Sequence, residues 1–250
     1  MESKLINGEA IIEMKKISKE SIDMILCDLP YGTTQCKWDT IIPFNELWAE
    51  YERIIKPNGA IVLTASQPFT SNLTMSNPKL FRYSLVWEKS KSTGYLNSKK
   101  MPMRSHEDIL VFYKSLPTYN PQMTEGIPYD KGIANRPTEV YREQKGEIHV
   151  KNESGLRYPR SVQYFKTAES EGKVYHPTQK PILLMEWLMK TYTNENEIVL
   201  DNCIGVGTTA IAAIRTNRRY VGIEIDEKYF DIAKQRIDNE IMMKQNGLII

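Results

Sequence analysis

A carboxylate, a rigid proline and an aromatic ring fall within four positions in Asp28-Leu29-Pro30-Tyr31. The preceding residues, Ile22-Asp23-Met24-Ile25-Leu26-Cys27, form an apolar run of strand length that reads as buried. Pro30 cannot extend a hydrogen-bond ladder and biases Leu29 toward an extended backbone, and Gly32 allows a sharp turn. Asp28, Pro30 and Tyr31 are therefore presented together at the end of a strand, where open α/β sheets place their ligands.

A second group lies far along the chain. Ile198-Val199-Leu200-Asp201 reads as a strand that leads into Asn202-Cys203-Ile204-Gly205-Val206-Gly207-Thr208-Thr209, which opens a helix. Glycines at 205 and 207 permit a tight turn and a close backbone approach to a ligand. The next strand ends in Gly222-Ile223-Glu224-Ile225-Asp226, which puts Glu224 23 residues after Asp201 (224 − 201 = 23). An acidic side chain there can accept hydrogen bonds from both hydroxyls of a ribose, so a nucleoside-type cofactor is expected. The spacing lacks the third glycine of the dinucleotide fingerprint, and the carboxylate of Asp201 would repel a pyrophosphate. It would suit an ammonium or sulfonium group. A third stretch, His176-Pro177-Thr178-Gln179-Lys180-Pro181, stands at a helix entrance just upstream and is a candidate lip of the same pocket.

These groups need a scaffold. Strands are expected at 22–27, 60–64, 81–87, 108–113, 197–201 and 220–225. Helices are expected at 68–77, 181–192 and 208–217, and another runs from Pro43 to Ile55. Asp226 caps a last helix. Residues 11–16 read as a short helix or loop, the cluster Lys56-Pro57-Asn58-Gly59 as a breaker, and 88–107 as a polar loop. Residues 116–175 have no sustained period and read as a functional insert with small elements of its own.

Composition is ordinary for a globular protein: 41% of residues are hydrophobic and 26% charged, so a real core can be buried. No signal peptide is apparent, and no apolar run approaches the roughly 20 residues of a membrane span. Cys27, Cys36 and Cys203 are few and widely spaced without a CxxC pair, which argues for a cytoplasmic location and against a zinc site. The net charge of +2 demands no nucleic acid, but its distribution favours one. Residues 79–114 carry 8 Lys/Arg against 3 Asp/Glu, and 131–166 carry 8 against 4. These segments are interleaved with Tyr83, Trp87, Tyr95, Tyr113, Tyr141, Tyr158, Tyr164 and Phe165, as suits a surface that contacts backbone and stacks on bases.

Taken in order, these stretches resemble the β class of the amino-group DNA methyltransferases, which modify adenine N6 or cytosine N4. Asp28-Leu29-Pro30-Tyr31 resembles their catalytic motif, 201–209 their S-adenosyl-L-methionine (AdoMet) loop, 222–226 their ribose-binding strand end, and 176–181 a further family element. The resemblance covers nearly the whole chain except 116–175, where the family keeps its target-recognition region. Leu29 replaces the family's usual proline, and Asn202-Cys203 stands where Pro-Phe is usual.

The resemblance implies a Rossmann-like fold with a mostly parallel, mixed sheet and helices on both faces, 1–115 being the catalytic half of one domain, 116–175 the inserted target-recognition region and 176–250 the AdoMet-binding half. The strands of Asp28 and Asp201 are then expected to be neighbours although 173 residues separate them (201 − 28 = 173). It implies AdoMet as cofactor and double-stranded DNA as partner, with no metal and no membrane; a homodimer is an open expectation. Catalytic roles fall on Asp28, Pro30 and Tyr31. Cofactor contacts fall on Asp201, Cys203, Gly205, Gly207, Thr208, Thr209, Glu224, His176, Thr178, Gln179 and Lys180. An initial Asp in the catalytic motif leans toward adenine by resemblance, with N4 of cytosine as the alternative. Other readings are an NAD-dependent oxidoreductase using the glycine loop, a non-catalytic nucleic-acid-binding module, or the same chemistry on RNA or a protein amide.

Overall fold

The computed structural model describes residues 2–33, 39–135 and 147–248; Cys36 and Tyr141, named above, lie outside them. In chain order the first half comprises β1 (Lys4–Asn7), α1 (Ala10–Met14), β2 (Ile22–Asp28), α2 (Phe44–Ile54), β3 (Ile55–Ala65), α3 (Phe69–Ser76), β4 (Phe81–Thr93) and β5 (Arg104–Phe112). A two-stranded piece, β6 (Tyr129–Asn135) and β7 (Glu147–Asn152), precedes β8 (Val162–Phe165). The second half comprises α4 (Ile182–Tyr192), β9 (Ile198–Asp201), α5 (Thr208–Arg215), β10 (Arg219–Glu224) and α6 (Glu227–Gln245).

Among the described residues eight strands form one sheet in the order β1-β10-β9-β2-β3-β5-β4-β8, of which only β5 runs against the rest. The period of two along β2 explains its central place. Ile25 and Cys27 pack with α1, α2 and α3 on one face, while Met24 and Leu26 pack with α4, α5 and α6 on the other. Ile22 breaks that alternation because the register with β3 shifts between Ile22 and Met24. β9 docks beside β2 with Met24 opposite Val199 and Ile25 opposite Leu200, so Asp28 and Asp201 end adjacent parallel strands as expected. No helix of the described residues is long and apolar enough to cross a membrane.

Three sequence expectations are corrected. Residues 4–7 form a strand that the sequence reading missed, because four half-exposed residues carry no apolar alternation. The interval 88–107 is not a loop: β4 runs on to Thr93 and β5 begins at Arg104. The breaker Lys56-Pro57-Asn58-Gly59 ends α2 as expected but lies inside β3, looped out between the pairs Ile22–Ile55 and Met24–Ala60.

The chain divides into two compact units, Met1–Asn120 with Ser161–Ile250, and Pro121–Arg160. The smaller unit is shorter than the stretch 116–175, since β8 pairs in parallel with β4 in the main sheet. Within it, β6 and β7 pair antiparallel, and Tyr129 packs under two cations, with Arg157 4.7 Å and Lys131 5.1 Å from its ring centre.

Candidate active site

Asp28 is the last residue of β2, and Pro30 and Gly32 turn the chain away from the sheet. Gly32 has φ +65°, and the side chain of Asp39 fixes the turn by accepting from Gly32 N at 2.8 Å and Thr33 N at 2.9 Å. The Asp28 carboxylate is held by three donors. Oδ1 accepts from the Tyr31 hydroxyl at 2.7 Å and from the Thr64 hydroxyl at 2.5 Å, and Oδ2 accepts from Lys180 Nζ at 2.7 Å. The Tyr31 ring stacks on Phe69 with centroids 5.0 Å apart, and Lys180 Nζ lies 5.6 Å from the same ring centre. Burial, reinforced by Asp28 and Glu107, raises the Tyr31 hydroxyl well above its ordinary value, so it remains a donor.

Lys180 also meets Glu107 Oε2 at 3.2 Å, and Lys89 meets Glu107 Oε1 at 3.2 Å. Two buried cations thus balance two carboxylates (+2 − 2 = 0) in a chain Asp28–Lys180–Glu107–Lys89. Burial works against the charge on Lys180, but Asp28 and Glu107 outweigh it and raise its pKa. Burial likewise opposes ionisation of Glu107, and Lys180 with Lys89 overcomes it and holds the acid below its ordinary value. The contact of Lys180 with Glu107 Oε2 is electrostatic only, since that oxygen has no hydrogen-bond partner.

Thr64, Lys89 and Glu107 are absent from the sequence-derived site. Lys89 follows Trp87 by two residues on the same face of β4, a signal that could be read only once 88–107 is known to be strand. The sequence reading places Lys180 at the cofactor, and the structure joins it directly to Asp28.

The glycine loop is latched from both sides. Asp201 Oδ1 accepts from Cys203 N at 3.0 Å, and Oδ2 accepts from the Thr209 hydroxyl at 2.5 Å. Burial raises the Asp201 carboxyl to about 6. Glu224 closes the other side, accepting from Gly205 N and from Asp226 N, each at 2.8 Å. Both glycines are left-handed, Gly205 at φ +54° and Gly207 at φ +84°. A Cβ on Gly207 would lie 3.2 Å from Ala233 Cβ, whereas a Cβ on Gly205 would meet nothing within 4 Å. Gly207 is therefore needed for packing on α6, and Gly205 offers bare backbone to open space. Asn202 turns inward, where its Oδ1 accepts from the Tyr51 hydroxyl at 2.5 Å.

The stretch before α4 rims this loop. His176 Nδ1 lies 2.9 Å from Thr178 Oγ1, and its ring meets Tyr229 edge-on at 4.6 Å. Burial pushes its pKa below the ordinary value, with Lys180 acting in the same direction and Asp28 and Asp226 against it. Gln179 accepts from Tyr175 N at 3.0 Å. A single cavity of about 830 Å³ connects Asp28, Pro30 and Tyr31 with Lys180, Gly205 and Glu224. Cys203, Thr208, Thr209 and Thr178 also line it, and Gly207 stands just behind in the loop.

A family model described as DNA methylase, for the N6/N4 type, matches residues 22–235. The chain belongs to this family. The methylase is 30% identical to the DNA adenine methyltransferase YhdJ of Escherichia coli K12, over 94% of this chain and 82% of that one. It is 29% identical to the type II methyltransferase M.HpaI of Haemophilus parainfluenzae, over 96% and 76% respectively. Among solved structures, the M1.HpyAVI–SAM complex superposes with a TM-score of 0.63 at 25% identity, covering 93% of this chain and 98% of that one. The cofactor of the methylase is AdoMet, and the site fits it: an open backbone cradle at Gly205, a carboxylate at each side of the loop, and a cavity large enough for a nucleoside.

Proposed function

We propose that this DNA methylase modifies the exocyclic N6 of adenine in double-stranded DNA, at a site read by the unit Pro121–Arg160. The observation that carries the reading is Asp28, fixed at a strand end by three donors and opening into the same cavity as the glycine loop. A carboxylate offers about four lone-pair positions. Three are used, which leaves one for an amine N–H.

An exocyclic amine is a weak nucleophile because its lone pair is delocalised into the ring. Asp28 accepts one N–H, and a carbonyl of Leu29 or Pro30 accepts the other, which favours a more tetrahedral nitrogen and stabilises the positive charge that develops on it. When bound, AdoMet supplies a methyl group already activated by its sulfonium. On taking up that methyl group the amine nitrogen would carry one proton too many, and it would shed that proton to Asp28 and onward to water. Tyr31 offers its ring to a base turned out of the stack, because the target atom is unreachable inside the duplex. Glu224 would hold the ribose hydroxyls, and Asp201 would face the cationic end of the cofactor. In the smaller unit, Tyr129 with Lys131 and Arg157 offers the stacking and phosphate contacts expected of a target reader. Adenine is favoured because YhdJ is named an adenine methyltransferase. The cytoplasm, where DNA is accessible, is the proposed location.

Transfer of labelled methyl from AdoMet to unmethylated genomic DNA, with nucleoside analysis of the product, tests this. Label in N6-methyladenine is expected; label in N4-methylcytosine overturns the choice of base.

The ionisation of Asp201 gives a second test. Its pKa of about 6 leaves it mostly charged at neutral pH, so AdoMet affinity is expected to weaken as pH falls through 6, toward the tenfold-per-unit limit for one coupled proton. Asp201→Asn should flatten the slope measured by calorimetric titration, leaving only the share of Glu224, which burial also raises. An unchanged slope in the variant would remove Asp201 from the cofactor site.

A further inference from the structure

The hairpin joining β4 to β5 has no part in the chemistry above, yet its construction is specific. β3 stops pairing with β5 at Asp108, and β8 stops pairing with β4 at Lys89. Beyond those points the two strands continue together to the pair Thr93–Arg104 without a neighbouring strand among the described residues. Every residue from 93 to 106 is exposed. The tip is nonetheless ordered: Gly94 turns at φ +92°, Tyr95–Asn97 makes one turn of 3₁₀ helix, and Asn97 N, Ser98 N and Met101 N bond back to Gly94 O, Tyr95 O and Asn97 O.

Its side chains divide into two kinds. At the tip stand Leu96, 96% exposed, and Tyr95, 76% exposed, with Met101 behind them at 57%. Around them lie Lys91, Lys99, Lys100 and Arg104, while residues 90–106 contain no Asp or Glu. Lys91 makes one loose ion pair, 3.7 Å from Glu169, with both side chains largely in water. The stem lines the catalytic cavity through Lys91, Thr93, Arg104 and His106, so the tip rises from the rim of the cavity that receives the target base. An apolar point ringed by cations matches a duplex, where cations meet phosphates and an apolar wedge separates base steps.

We infer that Leu96, with Tyr95 beside it, is a wedge that enters the base stack and holds open the gap left by the flipped target base. The inference rests on the DNA methylase reading and deepens it. The flanking cations seat the hairpin on the backbone, and Leu96 removes the vacancy into which the base would otherwise return.

The test compares Leu96→Ala with the parent on two duplexes carrying the target site, which is first located by sequencing the modified bases in DNA methylated by the parent. One duplex is fully paired; in the other an abasic position faces the target base, which is then unpaired from the start. Single-turnover methylation by Leu96→Ala is expected to fall tenfold or more on the paired duplex and less than threefold on the abasic one, with AdoMet affinity and melting temperature unchanged. Lys99→Gln/Lys100→Gln is expected instead to weaken binding to both duplexes and to lower the slope of log affinity against log salt by about 1.8. Equal loss on both duplexes in Leu96→Ala, or no loss on either, overturns the wedge. The second result would send the tip to a protein or membrane surface. Absence of methyl transfer by the parent would instead be a failure of the methylase reading itself.

Discussion

Replacing Asp28 with Asn is expected to lower single-turnover methyl transfer by about 10²–10³-fold, or about 3–4 kcal/mol, the range for removing one preorganised electrostatic contact to a transition state. The substitution keeps volume and leaves an amide oxygen for the Tyr31 and Thr64 hydroxyls, which now meet Oδ1 at 2.7 and 2.5 Å. Its amide nitrogen then faces Lys180 Nζ, where Oδ2 now accepts at 2.7 Å. Two donors confront each other, and the acceptor that faced the base amine has become a donor. The loss therefore falls on chemistry, while the glycine loop retains Asp201 and Glu224 and should hold AdoMet within threefold of the parent. Rapid-quench kinetics on saturating DNA and a calorimetric titration of AdoMet separate the two. A variant within a few-fold of the parent rate would show that Asp28 is structural and that the nitrogen is activated elsewhere.

The strands that carry Asp28 and Asp201 were legible because they are buried on both faces, and continuous apolar runs of strand length announce that position. Their adjacency was legible only through the resemblance: residues 28 and 201 are brought together by pairing of Met24 with Val199 and Ile25 with Leu200, a contact no local pattern encodes. The interval 88–107 failed for the opposite reason. A hairpin standing in solvent on both faces has no apolar alternation, so Lys89-Ser90-Lys91 and Arg104-Ser105-His106 look like loop although they are paired strand.

That failure hid part of the candidate site. With 88–107 read as loop, Lys89 and Glu107 had no face, and a solvated charge run was the natural reading. As strand residues they turn inward beside Trp87, and both side chains are largely buried, at 7% and 16% exposure. Lys180 suffered differently. Its position at a helix entrance beside the glycine loop pointed to the cofactor, and only the fold shows its Nζ reaching Asp28, 152 residues away. The same geometry gives the Thr64 hydroxyl, at the end of β3, its bond to Asp28: parallel β2 and β3 place Asp28 directly opposite Thr64.

The chain of charges through Lys180 makes the second large prediction. Lys180→Met keeps length and apolar packing but removes the cation shared by Asp28 and Glu107. Breaking a buried pair by deleting one partner costs about 3–5 kcal/mol. The lower end, about 3 kcal/mol, is expected here, since Lys89 still faces Glu107 and the Asp28 side chain retains 22% of its exposure. The pH dependence follows from the two shifted groups. Glu107, held below its ordinary 4.5, stabilises the fold above that value, and its contribution is lost as pH falls through the lower folded value. Lys180, held above its ordinary 10.5, stabilises the fold below that value, and its contribution is lost as pH rises through the higher folded one. The deficit of Lys180→Met should therefore stand in full across neutral pH and shrink in acid, where Glu107 in the variant is protonated and no longer needs a partner. Urea denaturation of parent and variant at neutral pH and in acid below the Glu107 range measures it. Methyl transfer should fall as well, by about 10²-fold, because a carboxylate displaced by an ångström loses its alignment with the amine. Lys89→Met, which touches Glu107 but not Asp28, should share the stability loss in smaller measure and spare most of the rate. If the two variants lose rate equally, the chain acts through the fold as a whole, and Lys180 has no special hold on Asp28.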